Sequence, residues 1–362
     1  MIATHPRLDL RDRPRRSSTA VVVNGRYRHL ETGGFRRFAE ETTARLDGAV
    51  TAGPPPRVGR GVAGRFWEQL VLPATAAGRV LFSPANSGPI SHPRHVLTLH
   101  DVFPLSHPEW YAPGFVRLQR QFLPRLARRA RRVVVPSAAV ADEVVRLLGV
   151  ETGRIEVVVP GVGPPFGPPL NGDGERAAAL RARIGLEDGD RLVVGLLSRD
   201  RRKNGAHLLD VLQAVGESDP SVRVAVAGSD DPPRVVAGGP RPRRPGIVDL
   251  GYLGDADLAA LLRAAEVFVW LPLAEGFGMP VLEAAACGTP VVTTPVPAAA
   301  EHLGERCRQV SGGDVAGAVG AVQTWMAESD GGPSIDGHAV TERHSWERTA
   351  DGVAEILAAV GT

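Results

Sequence analysis

Two glutamates, Glu275 and Glu283, stand with seven residues between them in the stretch VFVWLPLAEGFGMPVLEAAACGTPVVTT, residues 267–294. Glu275 is followed by Gly276-Phe277-Gly278, where two glycines free the backbone to approach a ligand closely. A carboxylate in such a loop has few packing partners and little propensity reason to be there. It is suited to accept hydrogen bonds from hydroxyls. The cations that would accompany it are found in SRDRRKN, residues 198–204, where Lys203 is the one lysine among 42 basic side chains. A lysine kept against so strong an arginine bias suits a role that needs a compact ammonium. Because a helix begins just after it, backbone N–H groups and cations converge there, as at a diphosphate site. Arg199 and Arg201 read as a solvated basic loop. Carboxylates for vicinal hydroxyls, with cations for phosphates, describe a nucleotide-sugar site.

The elements that must hold these residues alternate between strand and helix. Residues 267–271 form a continuous apolar run of strand length, Pro280 suits the first helical position, Gly288 suits the residue past the helix end, and 290–294 is a second strand. Glu275 therefore lies in a loop at a strand's carboxyl end and Glu283 in the first turn of the next helix. Open α/β sheets bind ligands at that edge. Along the chain, strands are expected at 19–23, 80–83, 95–99, 133–136 and 155–159, with helices at 35–46, 66–77, 113–132 and 138–148, the last capped by Ser137. Residues 52–56 read as a loop. After the Pro/Gly-rich linker 160–169, a second alternation places strands at 191–196, 222–227 and 247–250 and helices at 175–184, 205–215, 257–265, 315–327 and 345–360. The first strand runs into a loop with Gly33-Gly34, a weak phosphate cradle, and the strand 95–99 ends in His100-Asp101 at the cleft. Alternation of this kind predicts two parallel, doubly wound, Rossmann-like α/β domains facing across a cleft. Expected boundaries are a disordered basic tail at 1–18, a first domain at 19–164, a second at 165–344, and a helix at 345–362 that packs back on the first domain.

With 362 residues, two domains are the default. A net charge of +2 gives no reason to expect nucleic acid as a partner. The sequence has no run of membrane-span length and an N-terminus without a signal-peptide core, so a cytoplasmic location is expected, possible contact with the inner face of an anionic membrane resting on the arginines of 125–132. Cys287 and Cys307 have no metal-ligand spacing, and the two Asp-x-Asp pairs, Asp188/Asp190 and Asp255/Asp257, are explained by a turn and by a helix N-cap. No metal and no resident cofactor are expected.

The pattern Glu275-Gly-Phe-Gly-Met-Pro-Val-Leu-Glu283-Ala, followed by Cys287-Gly-Thr-Pro-Val-Val, resembles the signature of the retaining nucleotide-sugar glycosyltransferases of the glycogen-synthase and mannosyltransferase group. Gly251-Tyr-Leu-Gly254, Arg202-Lys203-Asn204, His100-Asp101, Pro136-Ser137 and Pro160-Gly161-Val162 follow the family's order and spacing, and the resemblance covers residues 19–358. It implies the GT-B fold and a retaining, metal-independent hexose transfer from a nucleoside-diphosphate sugar, GDP-mannose being the leading candidate, to a glycan or lipid-linked acceptor. Carried over by position, Lys203 and Arg202 hold the donor diphosphate and Glu283 the ribose. Glu275 and the backbone of Gly276, Phe277, Gly278 and Met279 hold the transferred sugar. His100 lies at that sugar, and Gly33 and Gly34 approach the phosphates. Where the family often has Gly-Arg, this chain has Leu197-Ser198, a small hydroxyl residue also found in some mannosyltransferase-like members, which the segment Trp67-Glu68-Gln69 also resembles. Two other classes share the architecture: nucleotide-sugar 2-epimerases, which lack this glutamate spacing, and non-catalytic partner subunits.

Overall fold

The structure, a computed structural model, describes residues 20–29, 33–229, 242–329 and 335–362. The expected tail at 1–18 and most of the Pro/Gly/Arg-rich loop before residue 245 lie outside the described residues.

In the first lobe the strands are β1 (Val21–Asn24), β2 (Val50–Ala52), β3 (Val80–Ser83), β4 (His95–Thr98), β5 (Arg132–Val135) and β6 (Ile155–Val157). They form one parallel sheet in the order β2-β1-β3-β4-β5-β6. Its helices are α1 (Gly34–Ala44), α2 (Gly61–Phe66), α3 (Leu72–Thr75), α4 (Phe103–Ser106), α5 (Pro113–Arg129) and α6 (Ala138–Leu148). The second lobe has α7 (Asp173–Ile184), β7 (Arg191–Leu196), α8 (Gly205–Ser218), β8 (Val222–Ala227), β9 (Ile247–Asp249), α9 (Asp255–Ala264), β10 (Val267–Trp270), α10 (Met279–Ala286), β11 (Val291–Thr293), β12 (Cys307–Gln309), α11 (Val315–Ser329) and α12 (Gly337–Arg343). Its sheet is also parallel, ordered β12-β11-β10-β7-β8-β9. Helix α13 (Trp346–Gly361) completes the chain's elements and lies on the first sheet, not the second.

Both sheets are covered on both faces, so their central strands are largely apolar. All four residues of β3 and of β10 are buried. The first lobe's core on one face joins Val23, Phe38, Phe82 and Val96 to Trp346, Val353, Leu357 and Val360 of α13. The other face is filled by α5 and α6 through Leu123, Leu126, Val140, Val144 and Leu148. The chain crosses between lobes at Gly161, where an added Cβ would meet the Trp346 backbone nitrogen at 2.5 Å, so the two crossings run in contact. The Pro164–Pro165 bond in this segment is cis.

Several expectations are corrected. Residues 50–52, where no strand is expected and Ala52 begins the expected loop, form the edge strand β2, which is too short to carry an alternation pattern. Helix α5 stops at Arg129, and Arg132 already begins β5. The helix expected from Asp257 starts at Asp255 with Gly254 as its cap, so both aspartates sit in the first turn. Glu283 lies in the second turn of α10, not the first, because the helix begins at Met279 and Pro280 is its second residue. The N-terminal dipole is therefore not what holds this carboxylate in place. Ser137 does cap α6, accepting from Val140 N at 3.2 Å, and Gly288 follows α10 with φ +83°.

Candidate functional site

In the second sheet the chain runs outward from β7 to β8 and β9, then returns to β10 on the other side, so β7 and β10 flank a topological switch point. The loops leaving their carboxyl ends carry the two groups singled out from the sequence. After β7, Asp200 begins a tight turn: its Oδ1 accepts from Arg202 N at 2.9 Å, residues Arg201–Lys203 form a 3-10 turn, and Asn204 takes φ +53° to start α8. Ser198 serves this turn, its Oγ accepting from Asp200 N at 3.2 Å. After β10, Leu273 N donates to Arg202 O at 2.8 Å and Asn204 Nδ2 to Leu271 O at 3.2 Å, which ties the two loops together.

The result is one buried ion cluster. Glu275 takes Lys203 Nζ on Oε1 and Arg202 Nη1 on Oε2, the latter at 3.1 Å, while Arg202 Nη2 reaches Asp200 Oδ2 at 3.2 Å. Burial alone would raise the Glu275 carboxyl, but the two cations overcome it and hold the group below its ordinary value. Burial likewise opposes the charge on Arg202, and Glu275, Asp200 and Asp101 more than restore it. Both cations are backed by aromatic rings: Lys203 Nζ is 4.9 Å from the centre of the Trp270 ring, and Arg202 Cζ is 5.2 Å from that of Phe103, in the other lobe. A carboxylate so held is ionised and fully engaged, so it cannot serve as a general acid.

The first lobe meets this loop directly. An added Cβ at Gly276 would stand 2.0 Å from the His100 carbonyl oxygen, so only glycine permits the approach. Ser137 Oγ donates to Gly276 O at 2.9 Å, and Glu301 accepts from Ala138 N at 3.1 Å and Ala139 N at 3.3 Å, at the start of α6. His100 follows β4. Its Nε2 donates to Pro84 O at 2.8 Å, which leaves the lone pair on Nδ1, and its ring packs edge-on against Phe38 at 5.0 Å. Burial pushes the imidazole down to about 4, so it is neutral. Asp101, beside it, is raised by burial against the pull of Arg202.

The remaining residues are placed differently from one another. Glu283 is buried 7% exposed, apart from the Lys203 cluster, and is held by Arg37 of α1, whose other nitrogen reaches Asp255 Oδ2 at 2.6 Å. Burial raises its carboxyl, and Arg37 opposes the shift. Gly33 caps α1 and Gly34 lies against Met279, an added Cβ standing 3.3 Å from its Cγ. Phe277 is buried against His302, ring centres 5.7 Å apart, and Gly278 takes φ +102° under Val296. The structure thus gathers Lys203, Arg202, Glu275, Gly276 and the His100 carbonyl, and sets Glu283, Met279, Gly33 and Gly34 beside them along the seam. Sequence reasoning missed Arg37 and Asp200. Arg37 stands one helical turn after Gly34 in α1, and its partner Glu283 lies 246 residues away, so no local pattern announces the pair. The seam between Arg37, Asp255, Phe166, Met279 and Trp346 holds a cavity of about 30 Å³.

Comparison with known proteins agrees with this layout. The model of the family described as "Glycosyl transferases group 1" matches residues 190–328, and that of "Glycosyltransferase Family 4" matches residues 73–164, one on each lobe. The O-antigen chain mannosyltransferase B of Escherichia coli is 29% identical over 59% of this chain and 56% of its own length. A D-inositol 3-phosphate glycosyltransferase of Salinispora arenicola is 31% identical over 64% of this chain and 55% of its own. The chain thus spans about half the length of these curated relatives. Among solved structures, Anabaena HepE in complex with UDP and glucose superimposes with a TM-score of 0.68 at 16% identity, over 94% of this chain and 100% of that one. WaaG, described as a glycosyltransferase involved in lipopolysaccharide biosynthesis, does so with a TM-score of 0.62 at 16% identity, over 94% and 99%. The first lobe thus carries a family 4 glycosyltransferase domain and the second a group 1 glycosyltransferase domain, in the GT-B fold that the solved glycosyltransferases share.

Proposed function

We propose that the chain transfers a hexose, with retention, from a nucleoside-diphosphate sugar to a glycan or lipid-linked acceptor in cell-surface polysaccharide or glycolipid synthesis. Mannose is the sugar favoured by the names of the Escherichia coli mannosyltransferases, GDP-mannose is the donor implied by the sequence resemblance, and HepE is a fold neighbour solved with UDP-glucose. The observation that carries the reading is the buried cluster in which Glu275 holds both Lys203 and Arg202 at the switch point. A donor diphosphate exchanges with the Glu275 carboxylate for these two cations, and Glu275 is released to the sugar hydroxyls. As the glycosidic bond breaks, Lys203 and Arg202 stabilise the charge growing on the leaving phosphate, which is electrostatic catalysis without a metal or a resident cofactor. The leaving phosphate takes the acceptor's proton, so the ionised Glu275 needs no acid–base role. Glu283 holds the ribose once Arg37 gives way. His100, neutral and with its Nδ1 lone pair free of the Pro84 contact, accepts from a sugar hydroxyl. The cavity at the seam, about 30 Å³, is far below the ~300–1,000 Å³ of ordinary ligand sites, so the lobes part to admit the donor. The reaction runs in the cytoplasm, at the inner face of the membrane where a lipid-linked acceptor is reached.

A thermal-shift screen of GDP-, UDP-, ADP- and dTDP-sugars identifies the donor, and transfer is then followed with it. Glu275→Gln and Lys203→Gln each lower turnover by at least about 10²-fold, with a cooperative melt retained. Unchanged turnover in both variants refutes the reading.

A further inference from the structure

The helical run from Gly61 to Thr75, formed by α2, a π-helical turn at Trp67–Val71 and α3, has an unusual outer face. Its one acidic side chain, Glu68, is fully buried, and while Leu72 and Trp67 pack into the lobe, four apolar side chains face solvent: Val62 is 71% exposed, Phe66 63%, Leu70 69% and Val71 48%. Glu68 is consumed inside the lobe, accepting from Asn24 Nδ2 at 2.8 Å and Ser87 Oγ at 2.5 Å and pairing with Arg26 at 3.4 Å. Burying a carboxylate while exposing a phenylalanine and a leucine is the reverse of what a water-facing helix does.

Charge around this face has one sign. Between residues 53 and 79 Glu68 is the only acid, while the same stretch carries Arg57, Arg60, Arg65 and Arg79. Arg65 Cζ lies 5.7 Å from the centre of the Phe122 ring on α5, which joins the run to that helix. On α5, Leu118 is exposed one turn before Phe122, Arg125 follows three residues after it, and the helix contains no acidic residue. A second copy docked face to face would set these arginines against their own kind. An apolar ridge ringed by cations instead matches a bilayer with anionic headgroups.

We infer that the face bearing Val62, Phe66, Leu70, Val71 and Leu118, with its rim of Arg57, Arg60, Arg65 and Arg125, docks the protein on an anionic bilayer. The run that bears this face is tied to the loops at the carboxyl ends of the first lobe's strands. Glu68 accepts from Asn24 at the carboxyl end of β1, and in the loop after β3 Gln69 Nε2 donates to Gly88 O at 2.8 Å while its Oε1 accepts from Ile90 N at 3.1 Å. Docking therefore brings the acceptor side of the cleft to the lipid surface. Resting on the transfer reading above, this narrows the acceptor to one anchored in the membrane.

Co-sedimentation with vesicles tests this, using phosphatidylcholine alone and phosphatidylcholine in which a third of the lipid is phosphatidylglycerol. The wild-type chain binds the anionic vesicles and is released by salt. Phe66→Ser with Leu70→Ser weakens binding at least about tenfold, and Arg57→Ser with Arg60→Ser weakens it by about fivefold per arginine at low salt. Both pairs are solvent-facing, so their melts stay at the wild-type temperature. Absence of wild-type binding, or equal binding by the Phe66/Leu70 variant, overturns the proposal. So does a wild-type dimer in light scattering that this variant converts to monomer. Nucleotide-sugar binding is measured on the same preparations: its loss with vesicle binding intact refutes the transfer reading and leaves the docking face standing.

Discussion

His100 shows how one residue serves through its backbone and its ring separately. Its carbonyl oxygen fixes how near the Gly276 loop can come, while its imidazole stays neutral between Pro84 O and the Phe38 ring. The ring's pKa is lowered by burial to about 4, and that of His95, bonded to Ser83 Oγ, to about 3. Below pH 6.5 the unfolded chain takes up protons that these folded histidines refuse. Their contribution to stability is therefore complete above pH 6.5 and falls as the pH drops towards 4, by about 1.4 kcal/mol per pH unit for each. Urea unfolding at pH 7.5 and pH 5.5 should register this fall, and His100→Gln, which can still donate to Pro84 O, should lessen it by about 1 kcal/mol. An unaltered pH dependence in the variant would show that His100 titrates normally. At this scale the sequence was legible where chemistry is local. The lone lysine, the Glu275 loop and the strand-end histidine could each be read from type and neighbours. The pairing of Glu283 with Arg37 could not, because it depends on how two lobes meet.

The loop after β10 is the element on which both lobes converge. Its glycine packs on the His100 carbonyl, its Gly276 carbonyl takes Ser137 Oγ, and its carboxylate organises the loop after β7. Gly276→Ala places a methyl where that carbonyl stands, and packing this tight has no flexible side chain to yield. We expect the variant to keep both lobes folded but to hold them apart, with transfer lost by at least about tenfold and a larger radius of gyration in small-angle scattering. Wild-type dimensions and turnover would mean that the interface gives way easily. Long, strongly patterned elements of this kind were the readable ones: β3, β7, β8 and α6 have the bounds expected from their apolar runs and caps. The short edge strands β2 and β12 and the helix α12 were missed, because three to seven residues carry too little periodicity to announce themselves. The limits of α10 were misjudged by one residue, which was enough to shift Glu283 from the first turn to the second.

The molecule as a whole is two sheets and one borrowed helix. Trp346, Val353, Leu357 and Val360 of α13 fill the first lobe's core against Phe38, Phe82 and Val96, across a chain that has meanwhile built the second lobe. Leu357 is 2% exposed, so Leu357→Ala should cost about 2–5 kcal/mol. Hydrogen exchange should show the loss in β3, β4 and β5, the strands under α13, and leave β7 and β8 protected. Equal loss in both lobes would mean that they unfold as one unit. The parallel, doubly wound form of each lobe was legible as alternation, since β-branched runs and amphipathic helices repeat with loops between them. The docking of α13 has a further consequence for the chain during its manufacture. The lobe made first lacks part of its core until residues 346–361 leave the ribosome. At ordinary elongation rates the roughly 190 intervening residues take on the order of 10 to 40 s. The lobe made second has its own strands and helices in hand before then, so it closes first. The first lobe waits with Phe38, Phe82 and Val96 uncovered, and that interval is when a chaperone would find it.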